Sequence, residues 1–402
     1  MKRFNLTSLV VALVASSMLF SCTQEEETLD LSEDFNLIQS SSQPIEGQYI
    51  VVYNTDKTGH AGRLAGDYAR ANNMVVTQTQ DMLTEKGISG EIVQVYSQTI
   101  NGVTLQLTEE DVNKLRNDDR VAYIEQDRIV ALAPPWERGD DGGGSTGEEV
   151  PYGITRVKGG VTYTGSNVAW IIDTGIDLDH EDLNVDASRG YNAFTKGKDG
   201  KDLDDGNGHG THVAGTVAAI DNEVGVIGVA AGATVIPVKV LDSRGSGSYS
   251  GVIAGVDHVG ANGSNGDVAN MSLGGPVSQA LDDAVLAASQ NGIKFSLAAG
   301  NESADANNSS PARVNGSNIV TISAMDDTDT FASFSNYANP PVDYCAPGVS
   351  IKSTWKDGGY NTISGTSMAA PHAAGVLLLG NASTDGTVNG DPDGNADPII
   401  VH

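Results

Sequence analysis

The sequence predicts an α/β fold in which a parallel β-sheet is flanked by helices on both faces, preceded by a small α+β domain. Three observations point there. From Pro151 onward short apolar runs recur, at Asn167–Ile172, Thr234–Val240, Val268–Ser272, Lys294–Ala298 and Ile319–Ile322, as strands buried on both faces do. Helical stretches near 210–220, 250–261, 278–291 and 368–379 separate them, and this alternation is that of a parallel sheet with crossover helices. Glycine is abundant (48 residues) and aromatics make up only 5%, which suits a loop-rich protein packed with small side chains and excludes a coiled coil or solenoid.

The chain has 402 residues, 39% of them apolar, enough for a packed core and for two unequal domains. Its net charge of -29 repels phosphate backbones, so nucleic acid is not a partner. The two cysteines, Cys22 and Cys345, cannot build a disulfide framework. Cys345 reads as a small buried hydrophobe.

From the N-terminus, residues 1–22 read as a signal peptide. Lys2 and Arg3 precede an uncharged run from Leu6 to Phe20 that is too short to span a bilayer. The ending Leu19-Phe20-Ser21-Cys22 resembles a bacterial lipobox, which implies lipidation of Cys22. The chain is therefore expected to be exported, as an envelope or surface lipoprotein or in secreted form, with membrane contact only through that anchor. Residues 23–46 are polar and acidic and read as a disordered tether.

Residues 47–133 form the small domain. Strands are expected at Tyr49–Tyr53, Val93–Tyr96, Val103–Leu107 and Val121–Ile124, with helices at 60–73 and at 109–115, the second capped by Thr108. The order β-α-β-β-α-β is that of a split, ferredoxin-like layout. Residues 134–150, opened by Pro134-Pro135 and rich in Gly and Asp, read as a flexible linker that is easily cut. Residues 151–402 form the larger domain.

Three motifs in that domain carry chemistry. Ile171-Ile172-Asp173-Thr174-Gly175 ends an apolar strand on an acid, where α/β sheets hold working residues, although alone it fits a turn aspartate as well. Gly206-Asn207-Gly208-His209-Gly210-Thr211-His212 sets His209 in a glycine lattice at a helix start. His212, three residues on and without a third ligand, is poor for zinc and reads as a packing residue. Gly365-Thr366-Ser367-Met368-Ala369-Ala370-Pro371-His372 puts a serine at a glycine turn entering an apolar helix. Pro371 belongs in a first turn and so fixes the helix start near Ser367. His372 reads as structural.

The acid, imidazole and hydroxyl occur in the order Asp, His, Ser, with spacings of 36 and 158 residues. At these motifs the chain resembles the subtilase family of serine peptidases, and within it the proteinase K branch. Val268–Gly275 and Ser333–Tyr337 support the branch, and the likeness spans roughly 151–380. The resemblance implies a subtilisin-like fold and an endopeptidase that hydrolyses peptide bonds through an acyl-enzyme. Ser367 would be the nucleophile, His209 its base and Asp173 the group that orients the imidazole. Asn301, in Ala298-Ala299-Gly300-Asn301, would stabilise the oxyanion with the Ser367 N–H. Ser272, Leu273 and Gly274 would bind substrate backbone as an added strand. A specificity pocket would lie between them and Ala298, Ala299 and Gly300, with small uncharged walls and no acid to select Lys or Arg.

Residues 47–133 resemble the family's inhibitory propeptide, at Gly47–Val51 and Arg120–Glu125. That implies an autoprocessed zymogen whose partners are its own propeptide and polypeptide substrates, the enzyme itself a monomer. The chemistry requires no cofactor. Asp343 matches a calcium-ligand position, completed by carbonyls near Ser317 and Ile319, and implies a structural calcium ion. The acidic stretch Asp391–Asp397 reads as a solvated tail, and the family's usual last helix has no counterpart here. The rival reading is a catalytically inactive peptide-binding relative on the cell surface.

Overall fold

A computed structural model describes residues 43–65, 67–132 and 147–402. The expected signal peptide with Cys22, the tether up to residue 42, Ala133 and residues 134–146 of the linker lie outside the described residues, and the tether's last residues, 44–46, open a strand. Among the described residues no helix is long and apolar enough to cross a membrane.

The first domain contains β1 (Pro44–Tyr53), α1 (Tyr68–Glu85), β2 (Glu91–Tyr96), β3 (Gly102–Gln106), α2 (Glu109–Arg116) and β4 (Val121–Ala131). Its antiparallel sheet runs in the order β2-β3-β1-β4, as the split layout requires. The helix expected over 60–73 is split and extended: a short helix covers Ala61–Ala65, and α1 then runs on to Glu85. Asp67 is the N-cap of α1, its carboxylate accepting from Arg70 N at 2.8 Å, and the helix buries Ala71, Val75, Thr79, Met82 and Leu83. The β-branched run Val75-Val76-Thr77 weakens helix propensity, and the apolar face overrides it.

One face of this sheet is covered by its own helices, Val51, Val103 and Leu105 meeting Val75, Met82, Val112 and Leu115. The alternate residues Ile50, Val52, Tyr96 and Val130 face the larger domain and join its core. A period of two thus turns one sheet into both a core wall and a docking face.

The larger domain contains β5 (Ala169–Asp173), α3 (His209–Ala218), β6 (Thr234–Lys239), β7 (Ser246–Ser248), α4 (Tyr249–Asn262), β8 (Val268–Met271), α5 (Gln279–Ser289), β9 (Lys294–Ala298), β10 (Ile319–Met325), β11 (Val342–Pro347), β12 (Ile351–Trp355), β13 (Gly359–Ile363), α6 (Thr366–Leu379), β14 (Ser383–Thr387) and β15 (Pro398–Val401). The main sheet runs β14-β15-β11-β10-β9-β8-β5-β6, all neighbours parallel except the β14–β15 pair. Trp170, Ile172, Ala269, Met271, Phe295 and Leu297 pack under α4 and α5. Ala169, Ile171, Val235 and Val268 pack on the other face, against α3 and α6. Burying side chains of this size stabilises the fold by about 1.5–3 kcal/mol each.

Two expectations hold only in part. Residues 392–396 are exposed, as a solvated stretch would be, but the end of that stretch is anchored in the fold. Asp397 is fully buried, accepting from Asn339 Nδ2 at 2.8 Å and from the Ser323 hydroxyl, and it leads into β15, which covers the sheet edge at β11. The last four linker residues are not free either: Glu149 N donates to Gly225 O at 2.9 Å and Ile227 N to Glu149 O at 3.2 Å.

Candidate active site

Strand β5 delivers Asp173 at its carboxyl end, and α3 begins on His209. Both side chains are buried, His209 at 3% and Asp173 at 0% exposure. His209 Nδ1 lies 2.8 Å from Asp173 Oδ1 and 3.0 Å from Oδ2. Burial pulls the imidazole pKa down, but the charge of Asp173 and its hydrogen bond outweigh that, and the net shift is upward.

The glycines around His209 allow close approach. Gly208 has φ +114°, and a Cβ there would run into the Trp355 indole; a Cβ on Gly210 would meet the Gly175 carbonyl. Asp205, which nothing in the sequence singled out, ties the two segments together. It accepts from Thr174 Oγ1 at 2.8 Å, Thr211 Oγ1 at 2.7 Å, Thr211 N and Gly208 N at 2.9 Å. Asp173 in turn accepts from Thr174 N at 2.7 Å. Asp205 sits in a polar Asp-Asp-Gly-Asn string that reads only as a turn, so its role was not legible.

Ser367 is the second residue of α6, whose first turn packs beside α3 through Met368, Val213, Ala214 and Val217. Ser367 Oγ donates to Ser272 O at 3.2 Å and is not hydrogen-bonded to the His209 ring. In return Ser272 Oγ donates to Ser367 O at 2.7 Å. Pro371 lies in the second turn of α6, not the first as expected, and the Ser272 hydroxyl takes over the bond that its missing N–H leaves open.

Ser272, Leu273, Gly274, Ala298, Ala299, Gly300, Asn301 and Ser367 all line one half-open cleft of about 400 Å³, while Asp173 and His209 are outside its lining. Asn301 Oδ1 accepts from Thr366 N at 2.8 Å and Thr366 Oγ1 at 2.9 Å, which orients the amide and leaves Nδ2 as its free donor. The cleft walls are not uncharged. Glu302 and Asp305 also line it, and Asn336 Nδ2 holds Glu302 Oε2 at 2.7 Å. In the sequence Glu302 stands in a loop with no cue to which way it faces.

His212 and His372 are fully buried structural groups. His212 Nε2 is 2.9 Å from Ile351 O, and burial pushes its pKa down to about 3; His372 falls to about 4 for the same reason. Asp343 accepts from Thr321 N at 2.9 Å; burial pushes its pKa up and the charge of Asp397 adds to that. Among the described residues no three His, Cys, Asp or Glu side chains gather as a metal site.

The first domain reaches into the cleft. Its β4 pairs antiparallel with β7, Ile129 opposite Ser248, Val130 opposite Gly247 and Ala131 opposite Ser246. Leu132 N continues the ladder to Gly245 O at 2.9 Å, and Ala131 and Leu132 line the cleft beside Ser367.

Comparison with known proteins then decides the family. A family model described as the subtilase family matches residues 165–385. This chain belongs to the subtilase family of serine endopeptidases. A second model, described as peptidase inhibitor I9, matches residues 48–133 of the subtilase. Extracellular serine proteinase from Thermus sp. (strain Rt41A) is 38% identical over 94% of this chain and 90% of its own length. Subtilisin E from Bacillus subtilis (strain 168) is 41% identical over 76% of each chain. Alkaline serine exoprotease A from Vibrio alginolyticus is 44% identical over 72% of this chain, and the match spans 53% of that relative, about half its length. Among solved structures, the crystal structure of a cold adapted subtilisin-like serine proteinase superposes with a TM-score of 0.53 at 41% identity, covering 62% of this subtilase and 96% of that chain.

Proposed function

We propose that this subtilase is an exported endopeptidase made as an autoprocessed zymogen, with Ser367 as nucleophile, His209 as base and Asp173 as its orienting acid. The observation that carries the reading is the chain's own residues 129–132, laid along β7 as an added strand and ending in the cleft that holds Ser367. A substrate would bind in the same manner, main chain to main chain.

In the reaction Ser367 Oγ leaves the Ser272 carbonyl, gives its proton to His209 Nε2 and bonds the scissile carbonyl carbon. Asp173, already bonded to Nδ1, holds the tautomer and stabilises the imidazolium. The carbonyl oxygen, now an oxyanion, takes hydrogen bonds from Asn301 Nδ2 and Ser367 N, where the amino end of α6 adds favourable potential. His209 passes the proton to the leaving amine, and water releases the acyl group by the reverse steps.

Residues 47–133 then act as propeptide and inhibitor, residues 151–402 as the peptidase, and cleavage falls beyond Leu132 in the 134–150 linker. Residues 1–22 are the export signal, Cys22 carries the lipid anchor, 23–46 are the tether, and the processed enzyme is a monomer of the proteinase K branch. A structural calcium ion would be held by Asp343, a half-buried carboxylate that a cation would relieve, with neighbouring carbonyls; no step runs through it.

A fluorophosphonate probe tests the reading. The processed chain should label on Ser367, and a Ser367→Ala precursor should stay unprocessed. A self-processing Ser367→Ala precursor, or a labelled site elsewhere, would overturn it.

A further inference from the structure

We propose that Asn270 is a positioning residue for the Ser367 hydroxyl, acting through Ser272. The inference rests on the reading of Ser367 as the nucleophile. In an unbroken helix the N–H of residue 371 would bond the carbonyl of residue 367. Pro371 has no N–H, so the Ser367 carbonyl is left without its helical donor. Ser272 Oγ fills the place at 2.7 Å, and Ser367 Oγ answers with its bond to Ser272 O at 3.2 Å. This reciprocal pair fixes both the backbone and the resting rotamer of the serine.

The Ser272 hydroxyl has a single proton, and the Ser367 carbonyl takes it. Its contact with Asn270 Nδ2, at 2.8 Å, therefore has Asn270 as donor. That determines the amide's orientation: Nδ2 faces Ser272, and Oδ1 points away, buried with no protein partner among the described residues. Asn270 is 1% exposed, on a strand whose alternate residue on the same side is the apolar Val268. An unpartnered buried carbonyl oxygen is a standing cost to stability that an apolar residue would avoid. Stability therefore does not account for the asparagine, whereas orientation does. With Nδ2 in place the Ser272 oxygen is held in one of its three rotamer wells. Without it the hydroxyl turns, the Ser367 carbonyl loses its donor, and the first turn of α6 loosens under the nucleophile. Small displacements of a nucleophile cost rate far more than they cost substrate binding.

The test uses the enzyme self-processed from the full chain, and from its Asn270→Leu, Ser272→Ala and doubly substituted forms. Asn270→Leu should lower kcat by about fivefold to tenfold with KM nearly constant, the size of one lost hydrogen bond. Fluorophosphonate labelling should slow by the same factor, while the unfolding temperature stays level or rises. The double variant should be no slower than Ser272→Ala alone, since Asn270 has no other route to Ser367. If Leu is too bulky for the site, Asn270→Ala is read by the same ratios. Wild-type kcat and labelling rate in the variant that folds, or losses that multiply in the double variant, would overturn the inference while leaving the nucleophile intact. A native chain that does not label on Ser367 would overturn the reading beneath it, and this inference with it.

Discussion

Thr99 of the first domain is tied twice to Asp257 of α4, its N–H and its hydroxyl both donating to Oδ1 at 2.8 Å. Gln98 N and Ser97 N add bonds of 2.9 and 3.1 Å, so one buried carboxylate of the peptidase gathers a whole loop of the propeptide. Contacts also run the other way. Asp127 accepts from Ser250 N at 3.1 Å at the start of α4, and Glu125 accepts from Ala280 N at 3.1 Å at the start of α5, each carboxylate meeting the orphan donors of a helix amino end.

Replacing Asp257 by Ala strips those four donors of their acceptor at once. The precursor should lose about 3 kcal/mol of stability, since buried donors left unpaired cost more than the bonds themselves gain. Inhibition of the processed enzyme by the released first domain should weaken by at least about tenfold, which is about 1.4 kcal/mol of binding. Denaturant unfolding of the precursor and inhibition titrations measure both.

The raised pKa of His209 sets opposite trends for stability and activity. A ring that holds its proton more tightly when folded stabilises the fold fully below the ordinary histidine pKa, and that contribution fades as pH rises through the folded value. The proposed role of His209 as the base needs the neutral ring. The rate should therefore fall on acidification at a pH above about 6.5, the ordinary histidine value. A kcat/KM profile against pH with its acid limb below that value would contradict the assignment.

Asn301 offers its Nδ2 to the cleft because Thr366 occupies its oxygen. Asn301→Ala should lower kcat by about 10²–10³ and leave KM little changed, as expected of a donor used chiefly in the transition state. Steady-state kinetics on a chromogenic peptide measure this.

Glu302 puts a negative charge on the wall of the cleft. Glu302→Gln should lower kcat/KM for peptides with Lys or Arg before the scissile bond by about fivefold relative to Leu, the scale of one solvent-screened charge pair. High salt should shrink the same ratio. An unchanged Lys-to-Leu ratio would show that the carboxylate does not face the substrate side chain.

Much of the fold was legible because it is written in local pattern. The apolar runs 167–172, 234–240, 268–272 and 294–298 became β5, β6, β8 and β9, for a strand buried on both faces must be apolar throughout. The later part of the sheet was hidden. Val342–Pro347 carries Asp343 and Tyr344 within it, and the strands at 383–387 and 398–401 are separated by a loop whose Asp, Asn, Pro and Gly content looks solvated. Asp397 is buried there because Ser323 and Asn339, distant in sequence, supply its donors.

The sequence by itself determined the residue types and their order: an acid closing an apolar strand, an imidazole in a glycine lattice, and a serine opening a helix. Each of these is a property of a few adjacent residues. Only the tertiary structure decided that Asp205 binds the first two segments together, that Ser272 replaces the donor Pro371 lacks, and that Glu302 lines the cleft. Those are contacts between segments tens to about a hundred residues apart, and their partners are chosen by how the sheet and helices pack.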